Sequence, residues 1–318
     1  MTNTIINAAE LVAMEFPEPK WAIPGLIPEG LSLLAGKAKL GKSWLCLAMG
    51  LAVASSGVVL GSIPVDGGDV LYLALEDSAR RLQDRLQRLL KDAEAPTRFD
   101  IARTWDRLDN GGLDQIGAWL VGHKDARLVI IDTLQRVRPS KKGGQRNLYV
   151  DDYEDLTPLK ALADDHNVAI VVVHHLRKTD SDDPLDLVSG STGLTAAADT
   201  IAVLRRQRSR ADAELFITGR DLEETELAMR VDIDAGGWVL LGDAADYRRT
   251  EERQAVLELL EDLDSITALD VATSLGISID NARHRLSRMT KAGDLRRIGT
   301  GRYAQPHEPL SYLSHRHG

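Results

Sequence analysis

The residues best suited to chemistry lie in one short stretch, residues 36–43, which reads G-x-x-x-x-G-K-S. This stretch follows the apolar run 31–35 and precedes a helical pattern, an order typical of a phosphate-binding loop. The glycines let backbone N–H groups turn toward an anion, the lysine contacts the β- and γ-phosphates, and the serine is a Mg²⁺ ligand. The sequence therefore predicts a site for a nucleoside triphosphate and Mg²⁺, lined by Gly36, Lys37, Ala38, Lys39, Leu40, Gly41, Lys42, Ser43 and Trp44.

Acidic residues stand at the ends of two other apolar runs. Asp132 ends the run 128–132, and Glu76 follows the run 70–75. Because parallel α/β sheets bind ligands at the carboxyl ends of their strands, we expect Asp132 to support Mg²⁺ together with Ser43. Glu76 is the expected catalytic carboxylate, which orients water in line with the γ-phosphate. Asp77 is expected to cap the next helix, and the reverse assignment of Glu76 and Asp77 stays open.

A pair of histidines, His174 and His175, follows the apolar run 168–173. A histidine at the same edge of the sheet could hydrogen-bond the γ-phosphate and report its loss to the next loop. A purely structural, hydrogen-bonded histidine is the alternative. Metal binding by the pair is not expected, since no further cluster of cysteine and histidine joins it.

Apolar runs alternate with helical patterns over most of the chain. Strands are predicted at residues 31–35, 70–75, 100–104, 128–132 and 168–173, and helices at 43–55, 78–91, 113–121 and 152–166. This alternation predicts an α/β fold with a mostly parallel sheet and right-handed crossovers. Residues 200–241 carry four more apolar runs without intervening helices, which predicts antiparallel strands at one edge.

The composition changes after residue 246. Three helical patterns lie at residues 251–263, 268–275 and 279–291. A glycine-containing hairpin follows them at residues 295–304. This order predicts a small winged helix-turn-helix domain. The expected organisation is a lead segment 1–30, a nucleotide-binding core 31–245, the winged helix 248–305 and a flexible tail 306–318.

The chain of 318 residues has a formal net charge of -9, yet two stretches are basic. One contains Arg136, Arg138, Lys141, Lys142 and Arg146, and the other lies between residues 281 and 303. The single cysteine, Cys46, is interpreted as a small core residue. Because no apolar stretch is long enough to span a bilayer and no signal-peptide profile is present, we expect a soluble cytoplasmic protein without membrane association.

These motifs together resemble a known family. The phosphate loop, Glu76, Asp132, the histidine pair and the run Ser189-Gly190-Ser191-Thr192-Gly193 are similar to those of the RecA-like ATPases of the RepA type, within the AAA-family P-loop ATPases. RepA-type proteins are hexameric helicases of plasmid and phage replication, related to the DnaB-type replicative helicases. The resemblance covers residues 8–243 and also includes the lead-in 21–30.

The resemblance implies a RecA-like fold, ATP as the nucleotide, and roles for Lys42 in binding and catalysis and for His175 as the γ-phosphate sensor. It also implies a homo-oligomer, a hexamer, whose sites lie between subunits and receive an arginine from the neighbour. Arg220 is the first choice for that arginine, with Arg205 and Arg206 as alternatives. Loops 133–150 and 177–193 would face a central channel and bind single-stranded DNA. Loop 177–193 also contains several aspartates, whose negative charge argues against indiscriminate phosphate binding by this loop.

The basic C-terminal module suggests a further contact, with duplex DNA. Arg283, Arg285, Arg288 and Lys291 fall on the predicted second helix of the helix-turn-helix, and Arg296, Arg297 and Arg302 on the hairpin. A domain that contacts only proteins is the alternative. For the whole chain, a ring-forming replicative helicase is the leading hypothesis. A recombination or loader ATPase that does not unwind DNA, and an ATP-switched DNA-binding regulator, are the alternatives.

Overall fold

The computed structural model describes residues 5–140, 147–176, 181, 183–188, 193–206, 212–232 and 237–306. The chain divides into two compact units, Met1–Asp243 and Ala244–Gly318. The strands of the first unit are β1 (Trp21–Ile23), β2 (Ile27–Pro28), β3 (Gly30–Gly36), β4 (Val58–Val59), β5 (Ile63–Pro64), β6 (Asp69–Ala74), β7 (Phe99–Ala102), β8 (Ala126–Asp132), β9 (Ala169–His175), β10 (Thr200–Arg205), β11 (Asp212–Gly219), β12 (Thr225–Asp232) and β13 (Gly237–Asp243).

The helices of the first unit connect these strands. They are α1 (Ala8–Ala13), α2 (Lys42–Ala54), α3 (Ala79–Leu90), α4 (Gly112–Gly122), α5 (Leu134–Val137), α6 (Leu148–His166), α7 (Pro184–Val188) and α8 (Gly193–Ala197), with a short 3-10 helix at Leu108–Asn110. Helix α6 begins four residues before the predicted helix 152–166, because the Asn147 side chain accepts a hydrogen bond from the Tyr149 N–H and caps it there.

One large sheet forms the centre of the first unit. Within the described residues its strand order is β13-β12-β11-β10-β3-β9-β8-β6-β7. The six strands from β10 to β7 run parallel, and β11, β12 and β13 extend the sheet with antiparallel pairing. The predicted α/β core, mostly parallel with antiparallel strands at one edge, is confirmed.

Apolar side chains cover both faces of the sheet, as expected for buried parallel strands. Alternate residues of β3 join different layers: Leu34 packs with Leu45 and Val53 of α2, whereas Leu33 packs with the layer of α4 and α6. The sheet is thus the middle layer of a three-layer core. Its helices position the loop that joins β3 to α2 at the carboxyl ends of the parallel strands.

The second unit contains α9 (Ala244–Leu259), β14 (Ile266–Thr267), α10 (Ala268–Leu275), α11 (Ile279–Lys291), β15 (Arg296–Gly299) and β16 (Arg302–Ala304). Its strands pair antiparallel in the order β14-β16-β15. Thr267 and Asp270 form a capping box at the start of α10, and Ser278 caps α11. A separate apolar core, which includes Val256, Leu286 and Leu295, holds these elements together. Among the described residues of both units, no helix has the length and apolar character needed to cross a membrane.

Candidate nucleotide-binding site

The predicted phosphate loop joins the end of β3 to the first residue of α2. Gly41 precedes α2 with a φ of +100°, a conformation that a residue with a Cβ atom rarely adopts. A Cβ atom on Gly36 would lie 2.9 Å from the Leu204 carbonyl oxygen, so this position also favours glycine. Lys37, Ala38 and Lys39 are exposed. The exposed loop at a helix N-terminus is a suitable site for a phosphate group.

Lys42, the first residue of α2, is directed into this loop. Its ammonium donates to the carbonyl oxygens of Gly36 at 2.6 Å and Lys37 at 3.0 Å. The His175 Nδ1 atom lies 3.2 Å from the Lys42 Nζ atom. Only 4% of Lys42 is exposed. The ammonium and His175 are therefore together at the carboxyl ends of β3 and β9.

Burial also changes the protonation of Lys42. Desolvation lowers the pKa of its ammonium to about 8, although the carboxylates of Asp132 and Glu76 act in the opposite direction. At neutral pH the side chain remains mostly protonated. A poorly hydrated cation gains strongly from an anionic partner, which suits a phosphate-binding role.

Asp132 ends β8 beside the loop and is almost fully buried. Its carboxylate accepts hydrogen bonds from the Ser43 side chain and, at 3.0 Å, from the Tyr72 hydroxyl. Burial raises the pKa of Asp132, while these two hydrogen bonds lower it. A carboxylate beside a serine hydroxyl is an oxygen donor set that fits Mg²⁺, which usually takes one or two protein oxygens and completes its shell with water and phosphate.

Glu76 follows β6 and faces the same edge of the sheet. Its Oε1 atom accepts a hydrogen bond from the Thr133 hydroxyl at 3.2 Å, and its Oε2 atom lies 3.7 Å from the His175 Nε2 atom. Arg136 approaches the same carboxylate, with 3.7 Å between Nε and Oε1. The side chain is partly exposed, so a water molecule can reach it.

The structure contradicts the expectation that Asp77 caps α3. Ser78 is the cap, because its side chain accepts a hydrogen bond from the Arg81 N–H. The Asp77 carboxylate is instead held by the guanidinium groups of Arg81, at 2.9 Å, and Arg85, at 2.5 Å. Since both Asp77 oxygens are engaged, Glu76 is the better placed of the two carboxylates to act on water.

The two histidines point to different surroundings, as neighbours on a strand do. His175 contacts Lys42 and lies near Glu76. For His174, burial and then the nearby charge of Arg138 lower the pKa to about 4, so its ring is neutral at physiological pH. His175, the predicted sensor, is the histidine that the structure places at the loop.

The basic stretch 136–146 is only partly available for binding DNA. Arg138 forms ion pairs with Asp152 and Asp155, and only 12% of its side chain is exposed. Arg138 therefore contributes less positive charge to loop 133–150 than the sequence suggests, because α6 supplies two carboxylates that neutralise it. Lys141, Lys142 and Arg146, together with most of loop 177–193, lie outside the described residues.

The arginines considered for action across a subunit interface occupy different ends of the sheet. Arg205 ends β10 on the side of the phosphate loop, but pairs with Glu214 at 3.0 Å and Glu226 at 2.5 Å. Arg220 follows Gly219 at the end of β11. Gly219 pairs with Thr200 of β10, and Thr200 pairs with Ser32 near the start of β3, so Arg220 lies at the end of the sheet opposite the phosphate loop. Its side chain is 58% exposed and lies 3.4 Å from Asp199. Arg206 is exposed.

The basic face predicted for α11 is smaller than the sequence suggests. Arg285 is 14% exposed and pairs with Glu252 of α9 at 2.9 Å, so it contributes to packing within the second unit. Arg288 approaches the same carboxylate at 3.3 Å but stays exposed. Arg283 is also exposed, with Asp280 at 3.1 Å. Arg285 is therefore less available to DNA than the sequence suggests.

Two residues beside the loop have no counterpart in the sequence predictions. The Trp238 indole N–H donates to the Gly41 carbonyl oxygen at 3.2 Å. Tyr72 holds Asp132, as described above, from the neighbouring strand β6. The alternation of β6 could have indicated that Tyr72 lies on the same face of the sheet as Asp132. No local signal links Trp238 to a loop nearly two hundred residues away.

Two solved structures are similar to this chain. A DnaB-like replicative helicase, described with its interactions with primase, matches with a TM-score of 0.51 and 16% identity, over 66% of this chain and 57% of that chain. The RadB recombinase matches with a TM-score of 0.46 and 18% identity, over 67% of this chain and 91% of that chain. The chain thus spans little more than half of the helicase chain. The first likeness shows the RecA-like P-loop fold, as predicted.

No curated protein matches the sequence of this chain. A family model described as an AAA domain matches residues 5–181, which is more than half of the chain and includes the phosphate loop, Glu76, Asp132 and His175. The chain therefore belongs to this AAA-domain family, AAA_25.

Proposed function

We propose that the protein hydrolyses ATP with the help of Mg²⁺. The observation that carries this proposal is the meeting of Lys42, Glu76 and His175 beside Asp132 at the carboxyl ends of adjacent parallel strands. In the proposed site the loop N–H groups and Lys42 hold the β- and γ-phosphates. Ser43 and Asp132 would hold Mg²⁺, which supplies positive charge to offset the charge of the phosphates.

Glu76 is the proposed catalytic base. Its carboxylate accepts a proton as the water oxygen bonds to the γ-phosphorus and the bond from that phosphorus to the oxygen of ADP breaks. His175 lies between Lys42 and Glu76, so its contacts would change when the γ-phosphate leaves. This arrangement supports its assignment as the sensor.

We further propose that hydrolysis drives movement along single-stranded DNA, within a hexameric ring of the RepA type. The AAA-domain family and the RecA-like fold support an ATPase of this class. The loops after β8 and β9 begin directly beyond Asp132 and His175, which would couple the nucleotide to a DNA strand. Arg220 is the proposed arginine supplied by a neighbouring subunit, since in its own chain it lies at the opposite end of the sheet from the loop.

The test of the proposed function is Glu76→Gln. This variant should bind ATP as the wild type does but hydrolyse it at least about a hundredfold more slowly, because a positioned base contributes 10²–10⁴-fold. The exposed Glu94, replaced in the same way, is the matched control and should leave the rate unchanged. Hydrolysis near the wild-type rate would contradict the role of Glu76. Absence of ATP binding by the wild type would contradict the whole proposal, and hydrolysis that single-stranded DNA does not stimulate would contradict the coupling to DNA.

A second proposed contact is duplex DNA at the second unit, which we propose to be a winged helix-turn-helix. Exposed Arg283 and Lys291 on α11, with Arg297 and Arg302 on the hairpin, support this contact. Replacing Arg283 and Lys291 by alanine should lower duplex affinity and reduce the slope of log K against log salt by about 2. An unchanged slope would favour a domain that contacts proteins.

A further inference from the structure

An edge strand of the sheet reaches the phosphate loop through one tryptophan. Trp238 lies on β13, and only 4% of the residue is exposed. Its indole N–H donates to the Gly41 carbonyl oxygen at 3.2 Å. Indole ring atoms also lie 3.1 Å from the place where a Cβ atom on Gly41 would stand. The contact therefore combines a hydrogen bond with close packing on the glycine that precedes Lys42.

The surrounding structure fixes Trp238 in this place. It pairs with Val231 of β12 and belongs to the large core that includes Leu45 and Met49 of α2. Two residues further on, the Leu240 N–H donates to the Leu60 carbonyl oxygen at 2.9 Å, which ties β13 to the turn between β4 and β5. Strand β13 is thus attached on both sides of α2, at the loop before it and at the turn after it.

The carbonyl that Trp238 holds belongs to a peptide unit with a special position in the loop. The Gly41 oxygen already accepts the first hydrogen bond of α2, from the Leu45 N–H at 3.0 Å. A carbonyl oxygen has two lone pairs, so the indole N–H completes its hydrogen bonding. The same planar unit carries the N–H of Lys42 on its other side. Holding the oxygen therefore sets the direction of that N–H, which in a phosphate loop points to the anion.

We propose that Trp238 is a positioning residue for nucleotide binding. It holds the Gly41–Lys42 peptide so that the backbone N–H and the side chain of Lys42 meet the phosphates together. This inference rests on the proposed ATP site and assigns to the edge strand a part in building it. A buried phenylalanine would fill much of the same space, but it lacks the N–H donor. It would leave the Gly41 oxygen with the hydrogen bond from the Leu45 N–H alone, so the peptide could tilt more easily.

The test compares Trp238→Phe with a matched control, Trp105→Phe. The Trp105 indole also donates to a backbone carbonyl oxygen, that of Gly112, at 2.9 Å, but it follows β7, the strand at the other edge of the sheet. Both variants lose one such hydrogen bond, and urea unfolding should show that both remain folded under the conditions of the binding assay. Calorimetric titration with ATPγS and Mg²⁺ should show about tenfold weaker binding for Trp238→Phe only, equal to about 1.4 kcal/mol.

Each outcome decides the inference. Affinity of Trp238→Phe within about twofold of the wild type, or an equal loss in Trp105→Phe, would overturn the positioning role while leaving the ATP site intact. Failure of the wild type to bind ATPγS would instead overturn the proposed function. If Trp238→Phe does not fold, the indole N–H resonances of the wild type in NMR spectra provide a second measurement. On titration with ATPγS and Mg²⁺ the Trp238 resonance should shift and the Trp105 resonance should not, and an unchanged Trp238 resonance would overturn the positioning role.

Discussion

Replacing Lys42 by methionine should change how the stability of the nucleotide-free protein depends on pH. Burial lowers the pKa of Lys42 to about 8 in the folded chain, whereas its ordinary value is 10.5. Between these values the unfolded chain binds a proton that the folded chain has released, so the stability of the wild type rises with pH. Methionine has a similar length and no titrating group, and therefore removes this contribution.

The magnitude follows from the two pKa values. The difference corresponds to a maximum penalty of about 3 kcal/mol for keeping the ammonium charged in the folded state. Nearly all of it applies at pH 7, and about 2 kcal/mol remains at pH 9. The wild type should therefore gain about 1 kcal/mol relative to Lys42→Met between pH 7 and pH 9. The hydrogen bonds that Lys42 makes to Gly36 and Lys37 shift the two curves by a constant and leave this difference unchanged.

The assay is urea unfolding of both proteins at pH 7, 8 and 9 without nucleotide. Lys160→Met is the control. Burial of Lys160 lowers its pKa, but ion pairs with Asp199 and Asp164 outweigh this effect and raise it. Lys160 is therefore protonated in both states from pH 7 to pH 9, and its variant should run parallel to the wild type. Parallel curves for Lys42→Met as well would refute the claim that the Lys42 ammonium is held desolvated at the loop.

Two more predictions concern the supports of the site. Tyr72→Phe should lower the free energy of unfolding by about 2 kcal/mol, because the buried Asp132 carboxylate loses a hydrogen-bond donor; exposed Tyr153→Phe should change little in the same urea titration. Arg138→Met should cost about 3 kcal/mol or more, since two carboxylates of α6 lose their cation, whereas Arg136→Met, at a more exposed position, should cost less than about 1 kcal/mol. Equal losses within either pair would contradict these assignments.

The sequence predicts the phosphate loop well because its geometry is local. A strand, a glycine-rich turn and a helix N-terminus follow one another within residues 30–54, so their spacing alone carries the information. The meeting of Glu76, Asp132 and His175 is also predictable, since each follows or ends a strand of one parallel sheet. Which of two adjacent acids faces the site is less predictable. Ser78 outcompetes Asp77 as the cap of α3, and two arginines of that helix bind Asp77.

Contacts between residues that are distant in the sequence could not be predicted from it. In the sequence, the segment around Arg138 looks like a basic loop. In the folded chain, Asp152 and Asp155 of α6 form ion pairs with Arg138 and neutralise its charge. The sequence likewise suggests that Arg285 contacts DNA, whereas in the folded chain Arg285 forms an ion pair with Glu252 of α9. Trp238 reaches Gly41 only because the antiparallel strands extend the sheet to β13, which contacts α2. Such pairings depend on tertiary packing, and local sequence patterns do not predict them.

In the proposed site a triphosphate binds at this loop with its terminal phosphate beside Lys42 and Glu76. The most direct measurement is a crystal structure of Glu76→Gln grown with ATP and Mg²⁺. We predict intact ATP against the loop N–H groups and Lys42, Mg²⁺ between Ser43 and Asp132, and the γ-phosphate next to His175. ATP bound elsewhere on the chain, or crystals at saturating ATP whose loop holds no nucleotide, would contradict the account.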